Sequence, residues 1–229
     1  MVKIDLITGF LGSGKTTFIK KYAKYLMAQG MNIGILENDF GAVNVDMMLL
    51  KDLEGDQCEL EMVAGGCDAD CHRRRFKTKL IAMGMCGYDR VIVEPSGIFD
   101  VDEFFDVLRE EPLDQWYEIG SVITIMNAKL EDTLSEEAEY LLASEAANAG
   151  CVVLSRSQDA SPEEIAKTRA HLNCALQAVY CSRQFGDEII EKNWEDFTEQ
   201  DLERIQNSGY HVEDYTKLHF PEKERFQSV

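Results

Sequence analysis

The stretch GFLGSGKTT, from Gly9 to Thr17, gathers residue types that hold phosphate. Gly9, four further residues, then Gly14, Lys15 and Thr16 make up the full Walker A pattern. Gly9, Gly12, Ser13 and Gly14 allow successive backbone N–H groups to turn inward around a β-phosphate. A helix starting near Lys15 would add the positive end of its dipole. Lys15 is placed to bridge β- and γ-phosphate oxygens, and the Thr16 hydroxyl to ligate Mg2+, with Thr17 completing the cradle.

Carboxylates follow at positions where a sheet would deliver them to that phosphate. Glu94 closes the apolar run of RVIVEPSG, at a strand end, where it can hold Mg2+ directly or through water. Gly97 leaves a backbone N–H free to meet a γ-phosphate and to respond to its loss. Glu37 and Asp46 flank NDFGAVNV, and either could orient the attacking water or reach the metal. Further on, Cys67 and Cys71 are separated by three residues, a spacing used by zinc ligand pairs. His72 follows at once, and Asp68 and Asp70 add oxygen donors. Arg73, Arg74 and Arg75 would lower the pKa of nearby thiols. Zn2+ suits such a set, with Ni2+ or Co2+ as alternatives, since affinity order alone does not fix the metal in a cell.

ITGFLGSGKTT, ENDFGAVNVD, GGCDADCHRR and VIVEPSG occur in the order and spacing of CobW-type proteins. The chain resembles that family, which belongs with UreG, HypB and MeaB among the metallochaperone and metalloenzyme-activating P-loop GTPases. The resemblance runs from Met1 to Tyr180. It implies slow GTP hydrolysis, a nucleotide-dependent homodimer, and delivery of a metal or cofactor to a client metalloenzyme or cofactor-handling protein. The C-terminal domain and His-rich segment common in such chains are not expected here. Two motifs depart from the family. Where it carries Cys-x-Cys-Cys, this chain has Cys67 to His72. Where it carries Asn-Lys-x-Asp, this chain has Ser155, Arg156, Ser157 and Gln158.

In the family the motif's Asp accepts two hydrogen bonds from guanine, whereas the Gln158 amide has one acceptor and two donors. A buried donor facing a donor costs about 1–3 kcal/mol, enough to erode a preference for guanine. Arg156 can still cover the base as the family's Lys does, and Asp159 is an alternative carboxylate. GTP is the expected nucleotide, with ATP the alternative. Asn127 stands where the family often has Asp. Two other functional classes stay open: an ATP-dependent small-molecule kinase or ligase, and a nucleotide-binding adaptor with little turnover.

The elements that must position these residues are legible in outline. Apolar strands without polar alternation (KIDLITG, NIGILEN, YDRVIVEPSG, GSVITIMNA, CVVLSRS) alternate with helical stretches. That pattern predicts a doubly wound α/β domain with a mostly parallel sheet of the P-loop type. Asp39 to about Gly66 reads as a loop, and ALQAVYCS as the last core strand. Ser135 and Ser161-Pro162 read as helix starts. The nucleotide-binding domain is expected over residues 1–185, with acidic helices of 186–229 packed on its edge. The 229 residues carry a formal net charge of −19, which argues against nucleic-acid and anionic-membrane partners. No apolar run has the length of a membrane span. With no signal peptide read and seven cysteines taken as reduced thiols, a cytoplasmic location is expected.

Overall fold

Apart from Lys3, Asp5 and Thr8, the run Val2–Thr8 offers apolar side chains to both faces, as a strand covered on both sides must. It forms β1, the centre of a seven-stranded sheet. The computed structural model describes residues 1–10, 12–39, 45–64, 69–95, 101–131 and 133–218. The other strands are β2 (Ile33–Asp39), β3 (Cys58–Ala64), β4 (Arg90–Pro95), β5 (Tyr117–Asn127), β6 (Cys151–Ser155) and β7 (Ile189–Ile190). They lie in the order β3-β2-β4-β1-β5-β6-β7, and every neighbouring pair is parallel. The helices are α1 (Lys15–Ala28), α2 (Val45–Leu50), α3 (Ala69–Gly84), α4 (Val101–Leu108), α5 (Leu113–Trp116), α6 (Glu136–Ala147), α7 (Pro162–Ala178) and α8 (Glu199–Gln206).

Alternate residues of each strand enter two separate cores. Ile7, Ile35, Ile92, Ile123 and Val153 pack under α1 and α8, against Phe18, Tyr22, Leu26, Leu202 and Ile205. Leu6, Leu36, Val93, Val122 and Leu154 pack on the other face, against Phe76, Leu80, Phe104, Leu142 and Leu172 of α3, α4, α6 and α7. The expected doubly wound parallel sheet is therefore what forms.

Two sequence expectations are corrected. The stretch read as a loop from Asp39 to Gly66 contains α2 and the edge strand β3, which pairs with β2 from Ile33↔Cys58 to Asp39↔Ala64. Hydrogen-bonded on one side only, β3 needs fewer apolar residues, and its exposed Glu59 breaks up the run. ALQAVYCS is not a strand either. Its apolar residues continue the buried stripe of α7, at Leu172, Ala175, Leu176 and Val179, and the last strand is Ile189–Ile190. Both predicted helix caps form. The Ser135 Oγ accepts from the Ala138 N–H, and Ser161 makes a reciprocal capping box with Glu164.

One buried charge cluster locks the central strands. The β1–β5 register slips between Ile4 and Leu6, so that Gly120 and Ser121 together oppose Asp5. Ser121 N–H donates to Asp5 Oδ1 at 2.8 Å, Tyr22 Oη to Oδ2 at 2.8 Å, and Arg90 Nη1 to both oxygens at 2.9 and 2.7 Å. Burial pushes the Asp5 carboxyl up, and Arg90 opposes that shift. A Cβ on Gly120 would lie 2.3 Å from Asp5 Oδ1, so only glycine lets the carboxylate reach its partners.

Candidate functional site

The phosphate loop leaves the C-terminal end of the central strand, where β1 is flanked by β4 and β5. This is the switch point at which open α/β sheets bind ligands. Its shape depends on three glycines with positive φ: Gly9 at 135°, Gly12 at 75° and Gly14 at 100°. At Gly9 there is also no room, because a Cβ would sit 2.2 Å from the Ile125 carbonyl oxygen. Below the loop, the Thr8 and Thr124 hydroxyls lie 2.8 Å apart, and Thr124 donates to the Glu145 carbonyl at 3.0 Å. The strand ends and α6 are thus pinned together under the turn.

Lys15 and Thr16 open α1 and are buried at 8% exposure each. The Lys15 ammonium donates to the carbonyls of Gly9 at 3.0 Å and Phe10 at 3.2 Å, which hold it against the loop. It also lies 3.8 Å from Glu94 Oε1, while the Thr16 hydroxyl donates to Glu94 Oε2 at 3.4 Å. Glu94 thus stands near the end of β4, against the head of α1. Glu37 is its lateral partner on β2 (Glu37↔Glu94) and is equally buried, so two carboxylates stand side by side next to the loop. On α6, burial pushes the Glu145 carboxyl up to about 7, with Lys15 opposing the shift.

The base-reading candidates follow β6. Arg156 is exposed and left-handed at φ 55°, and a single 3-10 turn follows over Ser157–Asp159. Gln158 is exposed, and its amide nitrogen donates to Asp159 Oδ2 at 3.4 Å, so these two residues engage each other. Asn127 accepts the Lys129 N–H through Oδ1 at 3.0 Å, a turn that an aspartate would make equally well. Asn127 therefore holds this turn as an aspartate would.

Sequence reasoning passed over one residue here. Trp194 follows β7, and its ring carbons would lie 3.2 and 3.6 Å from a Cβ on Gly14. Its indole N–H donates to the Leu154 carbonyl at 2.8 Å, and its ring meets Phe18 edge-on at 5.7 Å. Nothing in the local sequence marks it, because its partners lie far away in the chain.

The metal candidates are brought together only in part. Cys71 and His72 are successive on α3, which sends their side chains about 100° apart around the helix. Cys71 lines a groove of about 490 Å3 with Met62, Arg74, Arg75 and Lys79, whereas His72 is buried. Arg73 turns elsewhere and binds Glu110 at 2.6 Å. Cys67, Asp68 and Gly97 lie outside the described residues, as do the side chains of Asp46 and Asp70. Among the described residues no cluster of three or more His, Cys, Asp or Glu side chains forms a metal site.

The glycine loop after a central parallel strand, with lysine and threonine at the head of α1, defines a P-loop NTPase fold. Residues 3–180 match the model of the CobW/HypB/UreG nucleotide-binding domain, and the chain belongs to that family. It is similar to the zinc chaperone YeiR of Escherichia coli, 28% identical over 167 residues, covering 71% of this chain and 49% of YeiR. It is also similar to the zinc-regulated GTPase metalloprotein activator 1 of Schizosaccharomyces pombe, 22% identical over 83% of this chain and 48% of that protein. The chain thus spans about half the length of these curated relatives. In fold it resembles the hydrogenase maturation factor HypB of Archaeoglobus fulgidus, with a TM-score of 0.53 at 15% identity, covering 89% of this chain and 86% of that one. It also resembles the GDP complex of the signal recognition particle receptor FtsY of Elizabethkingia anophelis, with a TM-score of 0.56 at 14% identity, covering 90% and 64%. Among the described residues no helix is long and apolar enough to cross a membrane.

Proposed function

We propose that this chain is a Mg2+-dependent nucleoside triphosphatase, hydrolysing GTP, that serves as a switch in delivering a metal ion to a client metalloenzyme. The observation that carries this reading is the approach of Glu94, at the end of β4, to within 4 Å of both the Lys15 ammonium and the Thr16 hydroxyl at the head of α1. A hydroxyl beside two neighbouring carboxylates, Glu94 and Glu37, is a set of hard oxygen donors that fits Mg2+. Thr16 and Glu94 would hold that ion, which when bound supplies positive charge for the β,γ-bridge.

The chain's own residues do the rest. The loop amides from Gly9 to Thr17 bind the phosphates, and Lys15 neutralises charge developing on the bridge. Glu37 or Asp46 orients the attacking water, and the Gly97 amide responds to departure of the γ-phosphate. Arg156 and Gln158 face the base. The cargo proposed is Zn2+, in line with the zinc chaperones to which the chain is similar, with Cys67 and Cys71 as thiolate ligands. His72, turned into the interior, is left to a structural role. The client acts on the metal after release, and the switch is proposed to work as a nucleotide-dependent homodimer.

Calorimetric titration with non-hydrolysable GTP and ATP analogues, with and without Zn2+, tests this reading. GTP is expected to bind more tightly, and Lys15→Ala to lower hydrolysis at least about a hundredfold. ATP binding as tight as GTP binding would overturn the base assignment. Zn2+ binding unchanged in a Cys71→Ser variant would overturn the cargo site.

A further inference from the structure

Trp194 lies beyond the residues that match the family model and carries no motif. Its surroundings nonetheless place it where a nucleotide must pass. The loop following β7 emerges at the same end of the sheet as the phosphate loop and the Ser155–Asp159 turn, because all three strands run parallel. The indole lies against both loops where they already meet, since a Cβ on Gly14 would also lie 3.8 Å from the Ser155 Cβ. Its six-membered ring packs over Gly14, immediately before Lys15, and its N–H is fixed on Leu154, immediately before Ser155. Phe18 of α1 supports it edge-on. The side chain is only half-buried, so part of the aromatic surface stays open.

We infer that Trp194 lines the nucleobase subsite, at the junction of the phosphate loop and the Arg156–Gln158 loop. This rests on the nucleotide-binding reading given above. A base held by a triphosphate in the Gly9–Thr17 loop must reach toward Arg156 and Gln158, and the indole lies beside that path. The C-terminal segment thereby supplies an aromatic contact to a base loop whose own Gln158 is a poor guanine acceptor. Because every base has a π-face, such a contact adds affinity while discriminating weakly between bases.

The chain has two tryptophans, Trp116 and Trp194, and Trp116 precedes β5 at the opposite end of the sheet. A Trp116→Phe protein therefore reports on Trp194 alone. Its emission is followed while Mg2+-GDP, a non-hydrolysable Mg2+-GTP analogue, or inorganic tripolyphosphate is added. Tripolyphosphate fills the phosphate loop and offers no base. Calorimetry on Trp194→Leu and Trp194→Phe gives the affinities, and melting curves confirm that both fold. Both nucleotides are expected to change the emission, and tripolyphosphate to change it much less. Trp194→Leu should lose about tenfold in nucleotide affinity with tripolyphosphate affinity unchanged, and Trp194→Phe should recover most of the loss. Nucleotide affinity unaltered in Trp194→Leu, or equal losses for nucleotide and tripolyphosphate, would overturn the inference and leave Trp194 as a strut. Failure of the wild-type chain to bind any nucleotide would overturn it together with the reading on which it rests.

Discussion

Lys15 acts electrostatically on two carboxylates in different surroundings. Glu94 accepts from the Thr16 hydroxyl, and Glu145 is buried on α6, where burial pushes its carboxyl up to about 7. A folded-state value above the unfolded one of 4.5 means that the folded chain keeps a proton that the unfolded chain gives up. The full contribution to stability is present below the unfolded value and is lost as pH rises through about 7. Glu145→Gln removes this dependence. The variant should gain stability relative to wild type between pH 5 and 8, by an amount on the order of 3 kcal/mol, measured as the difference between urea midpoints across that range. At this scale the phosphate loop was legible because its chemistry depends on short covalent spacing. Glu145 and Trp194 were not, since a buried carboxylate near a lysine or an indole over a glycine exists only once distant strands are paired.

Helix ends show the same division. The start of α7 was readable from Ser161-Pro162, but its end was not, because the usual glycine is missing. Tyr180 takes the left-handed position instead, at φ 60°. The Cys181 N–H donates to Leu176 O at 3.0 Å and the Tyr180 N–H to Gln177 O at 3.0 Å, the pair of bonds of a Schellman turn. The Tyr180 side chain is 83% exposed and has little packing to lose. Tyr180→Gly should therefore raise stability by about 1 kcal/mol, seen as a higher melting temperature with nucleotide binding unchanged. The edge strand β3 escaped sequence reading for a different reason. Its alternation of Cys58, Glu59, Leu60 and Glu61 lacks the all-apolar run that identified the central strands.

At the scale of the whole molecule, net charge opposes the compact state. With a formal charge of −19, mutual repulsion of surface carboxylates is long-ranged at low salt, where the screening length is about 30 Å at 0.01 M, and short at about 0.15 M, where it is about 8 Å. Exposed pairs such as Lys20–Asp52 pull the other way, but each contributes only about 0–1 kcal/mol. Repulsion should dominate, so the melting temperature is expected to rise as salt increases over that range. A fall would show that the ion pairs outweigh it. The order of the sheet was legible as a class, from alternating strands and helices, although the places of β3 and β7 at its edges were not.

The central position of β1 carries a consequence for biosynthesis. β1 leaves the ribosome before either of the strands that flank it, Arg90–Pro95 on one side and Tyr117–Asn127 on the other. A nascent chain thus displays its nucleotide-gripping loop long before it has the neighbours that give the loop its shape. Until synthesis has passed Pro95, β1 lacks both of its partners, and until it has passed Asn127 one edge of it stays open, exposed to self-association and in need of protection by whatever meets emerging polypeptides.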